Sequence, residues 1–145
     1  MSDHTELMDR IKKHEGFVNK IYKDSLGKAT IGFGHLVTKH DKFEEAKEYS
    51  KEELEYVFKD DFNNALAHAN SLMDGLNLHQ ETKNVIVEMV FQLGVGGVGK
   101  FKKMWEALQH QDYNKASKEM LDSRWAKQTP GRAEELSAIV RGCRL

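Results

Sequence analysis

Two carboxylates, Glu15 and Asp24, and one hydroxyl, Thr30, fall close together near the start of the chain. Glu15 ends an amphipathic run just before Gly16, Asp24 opens the turn cluster Asp24-Ser25-Leu26-Gly27, and Thr30 alternates with Ala29 and Ile31 in the segment that follows. Two carboxylates in different surroundings are what hydrolysis of a glycoside requires: one protonated, to donate to the departing oxygen, and one ionised, to work on the other side of the sugar. The negative end of a helix dipole disfavours a charged carboxylate there, whereas an exposed turn does not, so these positions separate an acid from a base without a cofactor. A glutamate at a helix end and an aspartate in a turn are more often simply solvated, so the trio alone does not decide function.

The elements that must hold these residues follow from the pattern around them. Ser2 or Asp3 is placed to cap a first helix whose apolar residues Leu7, Met8 and Ile11 recur at helical spacing, and Gly16 supplies its stop. From Phe17 to Gly34 the pattern becomes a small β-hairpin, with Ala29, Ile31 and Phe33 alternating with Thr30 and Gly32 after the turn cluster. Ser50 followed by Glu53 is a capping box, and an apolar face from Leu54 to Leu76 then persists for about seven turns. Val85, Ile86, Met89, Val90 and Leu93 form a nearly all-apolar run suited to the centre of a core, and glycines 94, 96, 97 and 99 break it. Shorter amphipathic segments span 101–108, 113–121 and 132–140, the last entered through Pro130. The prediction is a mostly helical α+β fold in one domain over residues 1–145. It has a small lobe near 12–50, a connecting helix near 51–74, and a helical lobe made of 75–145 plus the N-terminal helix.

Composition narrows the function classes. The 145 residues suffice for one core of ordinary size and are too few for two. With 39% hydrophobic and 31% charged residues, the chain is neither a membrane protein nor wholesale disordered. The 22 Lys and Arg against 23 Asp and Glu leave no global field to hold nucleic acid or an anionic membrane. Cys143 alone offers no internal disulfide and no cysteine metal cluster, which suits a reducing cytosol. The charged run 3–15 encodes neither a signal peptide nor an anchor. Histidines 4, 14, 35, 40, 68, 79 and 110 include no i,i+4 pair beside a glutamate, so neither a metal nor a cofactor is expected. The stretch 94–100 fits the first seven positions of a phosphate-binding loop, but Phe101 stands where Ser or Thr should hold magnesium and the preceding segment has helical spacing. A turn between helices is the better reading there, and a nucleotide-binding helical domain is the weaker alternative. The Lys and Glu run from 39 to 55 reads as a solvated connection and helix face.

The runs His14-Glu15-Gly16, Ile21-Tyr22-Lys23-Asp24 and Thr30-Ile31-Gly32-Phe33-Gly34-His35 resemble the active-site segment of the phage-type lysozymes, the muramidases of glycoside hydrolase family 24, and of their T-even members in particular. Met89 to Gly94, Ser123-Arg124-Trp125 and Gln128 to Ala133 are similar to that family's core helix and late helix-turn-helix segment, so the resemblance spans most of the chain. It implies an endolysin that cleaves the β-1,4 bond between N-acetylmuramic acid and N-acetylglucosamine in peptidoglycan. In that role Glu15 is general acid, Asp24 is base and Thr30 helps to hold the water. By the same resemblance Leu36 and Phe91 are cleft walls and Gln92 a polar contact. Arg132 resembles the arginine that approaches the catalytic glutamate, and His35 with Asp61 resembles an ion pair bracing the lobes. Each has a plain alternative: Leu36 and Phe91 as core, Gln92 as a structural hydrogen-bonder, His35 as a solvated loop residue.

The resemblance further implies a monomer made in the host cytoplasm that reaches the wall through holin lesions. A catalytically weak wall-binding or phage structural protein is its rival. Three features depart from the T-even pattern: a shorter stretch between His35 and Ser50, Met104 and Glu119 at polar neutral cleft positions, and a near-zero net charge. Outer subsites therefore do not carry over. Asp24 and Thr30, on either side of one tight turn, suit a single water between them, so inversion is the expected stereochemistry.

Overall fold

The computed structural model describes residues 4–24 and 27–143. The chain is mostly helical α+β: α1 (Thr5–Glu15), β1 (Val18–Lys23), β2 (Ala29–Gly32), β3 (His35–Leu36), α2 (Lys51–Leu72), α3 (Gln80–Gly99), α4 (Lys102–Gln109), α5 (Tyr113–Leu121), α6 (Arg124–Gln128) and α7 (Pro130–Gly142). It divides into two compact units, 1–64 and 65–145, with the division inside α2. Among the described residues no helix is long and apolar enough to cross a membrane.

In the first unit α1 buries Leu7 and Ile11. His4 stands at its N-cap, and among the described residues no side-chain hydrogen bond caps it; Ser2 and Asp3 lie outside the described residues, as do Ser25 and Leu26 of the turn cluster. Gly16 ends the helix at φ 74°, a conformation that favours glycine, and its N–H bonds the Lys12 carbonyl. The strands form an antiparallel sheet in the order β1-β2-β3, with Tyr22 opposite Thr30, Thr30 opposite Leu36, and Ile31 opposite His35. The third strand was not visible in the hairpin pattern, because two residues carry no alternation to read. Ser50 Oγ accepts the Glu53 N–H at 3.1 Å and so caps α2. Phe17, Phe33, Phe58 and Phe62 form a chain of ring contacts in this unit, and Lys12 lies over the Phe33 and Phe58 rings while pairing with Glu55 at 2.7 Å.

In the second unit every residue of α3 from Val85 to Val90 is buried, and α7 packs against α3, α5 and α6. The expected break at the glycines is confined to Gly94, at φ 81° and ψ 161°. Residues 95–99 resume the helix beyond this kink, and buried Val98 anchors them, so the phosphate-loop-like stretch is helical and neither follows a strand nor forms a simple turn. α6 is an additional short helix capped by Ser123, and Pro130 opens α7, where its missing N–H costs little. Cys143 is a buried free thiol that accepts a hydrogen bond from Thr82 Oγ1 at 3.1 Å.

Candidate active site

In the first unit the turn after β1 fixes two of the three residues through the backbone of a single residue, Lys28. The Asp24 N–H donates to the Lys28 carbonyl at 2.9 Å and Asp24 Oδ1 accepts the Lys28 N–H at 2.8 Å. Thr30, only 3% exposed, donates its hydroxyl proton to the same Lys28 carbonyl at 2.9 Å. A threonine hydroxyl has a single proton, so with that proton committed Thr30 presents lone pairs and can only accept from a further group. Glu15, the last residue of α1, packs its carboxyl on Gly34: a Cβ at Gly34 would lie 3.0 Å from Glu15 Cδ and would meet Oε1. Gly34 also has φ 78°, so glycine is required there both by backbone and by space.

Tyr22 belongs to the same group and was given no role by the sequence reading, although it stands two residues before Asp24, the spacing at which a strand repeats one face. Burial raises its phenol above the usual range, and the charges of Glu15 and then Asp24 raise it further. Both carboxylates thus act on this phenol through their charge.

His35 and Asp61 form a close pair inside this unit, Nδ1 to Oδ2 at 2.7 Å. The other ring nitrogen, Nε2, lies 3.1 Å from Asp41 Oδ2, which also accepts the Thr38 N–H at 2.8 Å. The hydrogen bond to Asp61 raises the His35 pKa; burial opposes this, and the charge of Asp61 and the contact with Asp41 add to it. Burial acts to raise Asp41, but the Thr38 N–H and His35 outweigh it and hold that carboxyl below its ordinary value. Asp41 stood in a run read as solvated, and its partner is set by the fold rather than by local spacing. Leu36, 49% exposed, is no core residue and extends the cross-strand row Tyr22–Thr30–Leu36.

Phe91, Gln92 and Arg132 belong to the second unit. Phe91 is half-buried on α3, and Gln92 Oε1 accepts the Trp125 Nε1–H at 2.8 Å, a bond that ties α3 to α6. Arg132 Nε donates to Glu88 Oε2 at 2.9 Å, with Glu88 fully buried. Glu88 went unassigned in the sequence, yet a charge in the middle of an apolar run is itself the signal that a partner must exist. A cavity of about 570 Å³ in this unit is lined by Phe101, Trp125, Lys103 and Arg124 together with Met104 and Glu119, the two positions that depart from the T-even pattern. Among the described residues no group of His, Cys, Asp and Glu is arranged to hold a metal ion.

The model of the phage lysozyme family matches residues 12–142. The chain belongs to that family. It is 32% identical over 158 residues to "Probable T4-type lysozyme 2" of Dictyostelium discoideum, a match that covers 93% of each chain. It is 28% identical to "Probable T4-type lysozyme 1" of the same organism, covering 94% of each. It is also 30% identical to the pre-baseplate central spike protein Gp5 of Enterobacteria phage T4, over 92% of this chain and 27% of that protein.

This phage lysozyme family member is accordingly a glycoside hydrolase, a muramidase-like enzyme whose substrate is the peptidoglycan of the cell wall. Its first unit supplies two carboxyl groups, a hydroxyl poised to accept, and a proton-bearing phenol, which together can deliver a proton, take one up and orient a small nucleophile.

Proposed function

We propose that the enzyme hydrolyses the β-1,4 bond between N-acetylmuramic acid and N-acetylglucosamine with inversion at the anomeric carbon. Glu15 is the general acid, Asp24 the general base, and Thr30 the group that orients the attacking water. The observation that carries this reading is the double use of the Lys28 backbone, whose N–H bonds the Asp24 carboxylate and whose carbonyl accepts the Thr30 hydroxyl proton. Two acceptors are thereby turned toward a common water, which gives one hydrogen to each and keeps a lone pair for the sugar. As that lone pair forms the new C–O bond, Asp24 takes up the water's proton. Glu15 delivers its proton to the departing oxygen, and exchange with solvent then restores both groups.

An inverting site needs room for this water, with about 6.5–9.5 Å between carboxyl groups, whereas a retaining site holds them roughly 5–5.5 Å apart for direct attack. NMR of the nascent reducing end released from purified peptidoglycan is the test. The expected first product is the α-anomer of a muramic acid reducing end. An initial β-anomer, or a trapped glycosyl ester on Asp24, would make Asp24 a nucleophile. Reducing ends of N-acetylglucosamine would overturn the bond assignment.

A further inference from the structure

Glycines 16, 27, 32, 34, 75 and 94 all adopt a positive φ. At Gly16, Gly27, Gly75 and Gly94 a Cβ would meet nothing within 4 Å, and at Gly32 it would rest against Leu54 Cβ at 3.4 Å. Gly34 differs from them all: a Cβ there would lie 3.0 Å from Cδ and 3.3 Å from Cβ of Glu15 and would meet Oε1. The space left by its missing side chain is therefore filled by the carboxyl of another residue. The backbone at Gly34 is held on both sides. Phe33 before it is buried and touches the Phe17 and Phe58 rings, with centroids 4.9 and 5.5 Å away. His35 after it pairs with Ile31 across the β2–β3 turn and is bound by Asp61 and Asp41. Glu15 comes from the end of α1, which buried Leu7 and Ile11 anchor.

Resting on the assignment of Glu15 as general acid, we propose that Gly34 is a positioning residue for that acid: its bare Cα seats the Glu15 carboxyl in the orientation from which it protonates the departing oxygen. A glutamate side chain has three rotatable bonds, and proton transfer requires the acid within hydrogen-bond reach of the leaving group. The Gly34 backbone closes one side of the carboxyl and so removes orientations that turn it away. A Cβ at this position displaces the carboxyl rather than the turn, because Phe33 and His35 fix the backbone while the end of a glutamate side chain is free to rotate.

Alanine at Gly75, φ 80°, carries the same backbone strain as alanine at Gly34, φ 78°, without the contact, so the two variants separate conformation from space. Gly34→Ala should lower kcat for wall lysis about 10²-fold with KM little changed, the scale of a displaced reacting group, while Gly75→Ala lyses as wild type does. A dinitrophenyl glycoside of the N-acetylglucosaminyl-N-acetylmuramic acid disaccharide has a leaving group that departs without a proton. On it Gly34→Ala and Glu15→Gln should both approach the wild-type rate. Wall lysis by Gly34→Ala within a few fold of wild type, or a loss as large on the activated glycoside as on the wall, overturns the inference. Thermal melts read the contact independently of activity. Gly34→Ala should cost less in a Glu15→Ala background, where the space is vacated, and an equal cost in both backgrounds overturns the inference too. Glu15→Gln slowed equally on both substrates overturns the acid assignment, and the positioning role with it.

Discussion

The carboxylates of the first unit and the one at the centre of the second are held in opposite ways. Asp24, Asp41 and Asp61 are partly exposed and are secured by backbone N–H groups or by a histidine. Glu88 is fully enclosed in α3 and is answered by the Arg132 guanidinium. A carboxylate that keeps contact with water can change its protonation at modest cost, whereas an enclosed one is tied to its partner because losing that partner strands a charge in an apolar surround. On the proposed assignment the reaction chemistry belongs to the first unit, while the buried pair joins two helices of the second.

The largest expected effect is on the first side of this contrast. Glu15→Gln should keep the fold, since the residue sits at a helix end and the amide is of similar size, and should lower the rate of wall clearing about 10³-fold or more for want of a proton to donate. Turbidity assays beside a thermal melt check both parts, and lysis within a few fold of wild type would remove Glu15 from the acid role. Next comes the buried pair. Arg132→Met alone should cost about 3–5 kcal/mol in a denaturant titration, whereas Glu88→Met combined with Arg132→Met should recover much of that loss, because two apolar side chains remove the stranded charge. A double variant as unstable as the single one would mean that the pair itself, and not its completeness, stabilises the unit.

Thr30→Val comes third and sharpens the contrast inside the first unit. It keeps the shape and removes the oxygen, so the rate should fall about 10²-fold, the scale of a lost positioning contact. Stability should change little, because the Lys28 carbonyl retains the Asp24 N–H. Thr30→Ser, which keeps the hydroxyl, should retain most of the activity. Full activity in Thr30→Val would show that the oxygen does not matter, and equal losses in the two variants would show that the methyl group matters as much as the oxygen.

What could be read from the sequence was local. The Gly16 stop and the Ser50–Glu53 box depend on neighbours within one turn, and both form as the pattern required. The strand at His35–Leu36 is too short to have a period, and the glycines after Leu93 look like a break until buried Val98 is seen to hold their helix in place. The partners of Glu88 and Asp41 come from other parts of the fold, so no spacing rule could name them. Glu15, Asp24 and Thr30 were legible as residue types in suggestive places. The residue that joins two of them was not, since Lys28 acts through its backbone and its side-chain identity carries no hint of that.

The smallest effect concerns His35, whose ring has a carboxylate at each nitrogen. Both contacts are N–H donations only when the ring is protonated; a neutral ring has one N–H and must turn a lone pair toward one carboxylate. The pKa of His35 is raised on folding, so its contribution to stability is full below the ordinary histidine value of 6.5 and is lost as pH rises through the raised value. Asp41 is lowered, so its share is present above the ordinary value of 3.8 and is lost as pH falls through the lowered one. The Tm difference between wild type and His35→Asn should therefore be widest between these two ranges and should narrow on the alkaline side. Asp41→Asn should bring the His35 pKa only part of the way down, because the hydrogen bond to Asp61 is the larger cause, and Asp61→Asn should bring it further. NMR of the His35 ring protons gives that order directly. A Tm difference that stays constant into alkaline pH would mean that a neutral ring holds both carboxylates as well as the cation does, and that this part of the first unit shares the pH-insensitivity expected of an enclosed pair.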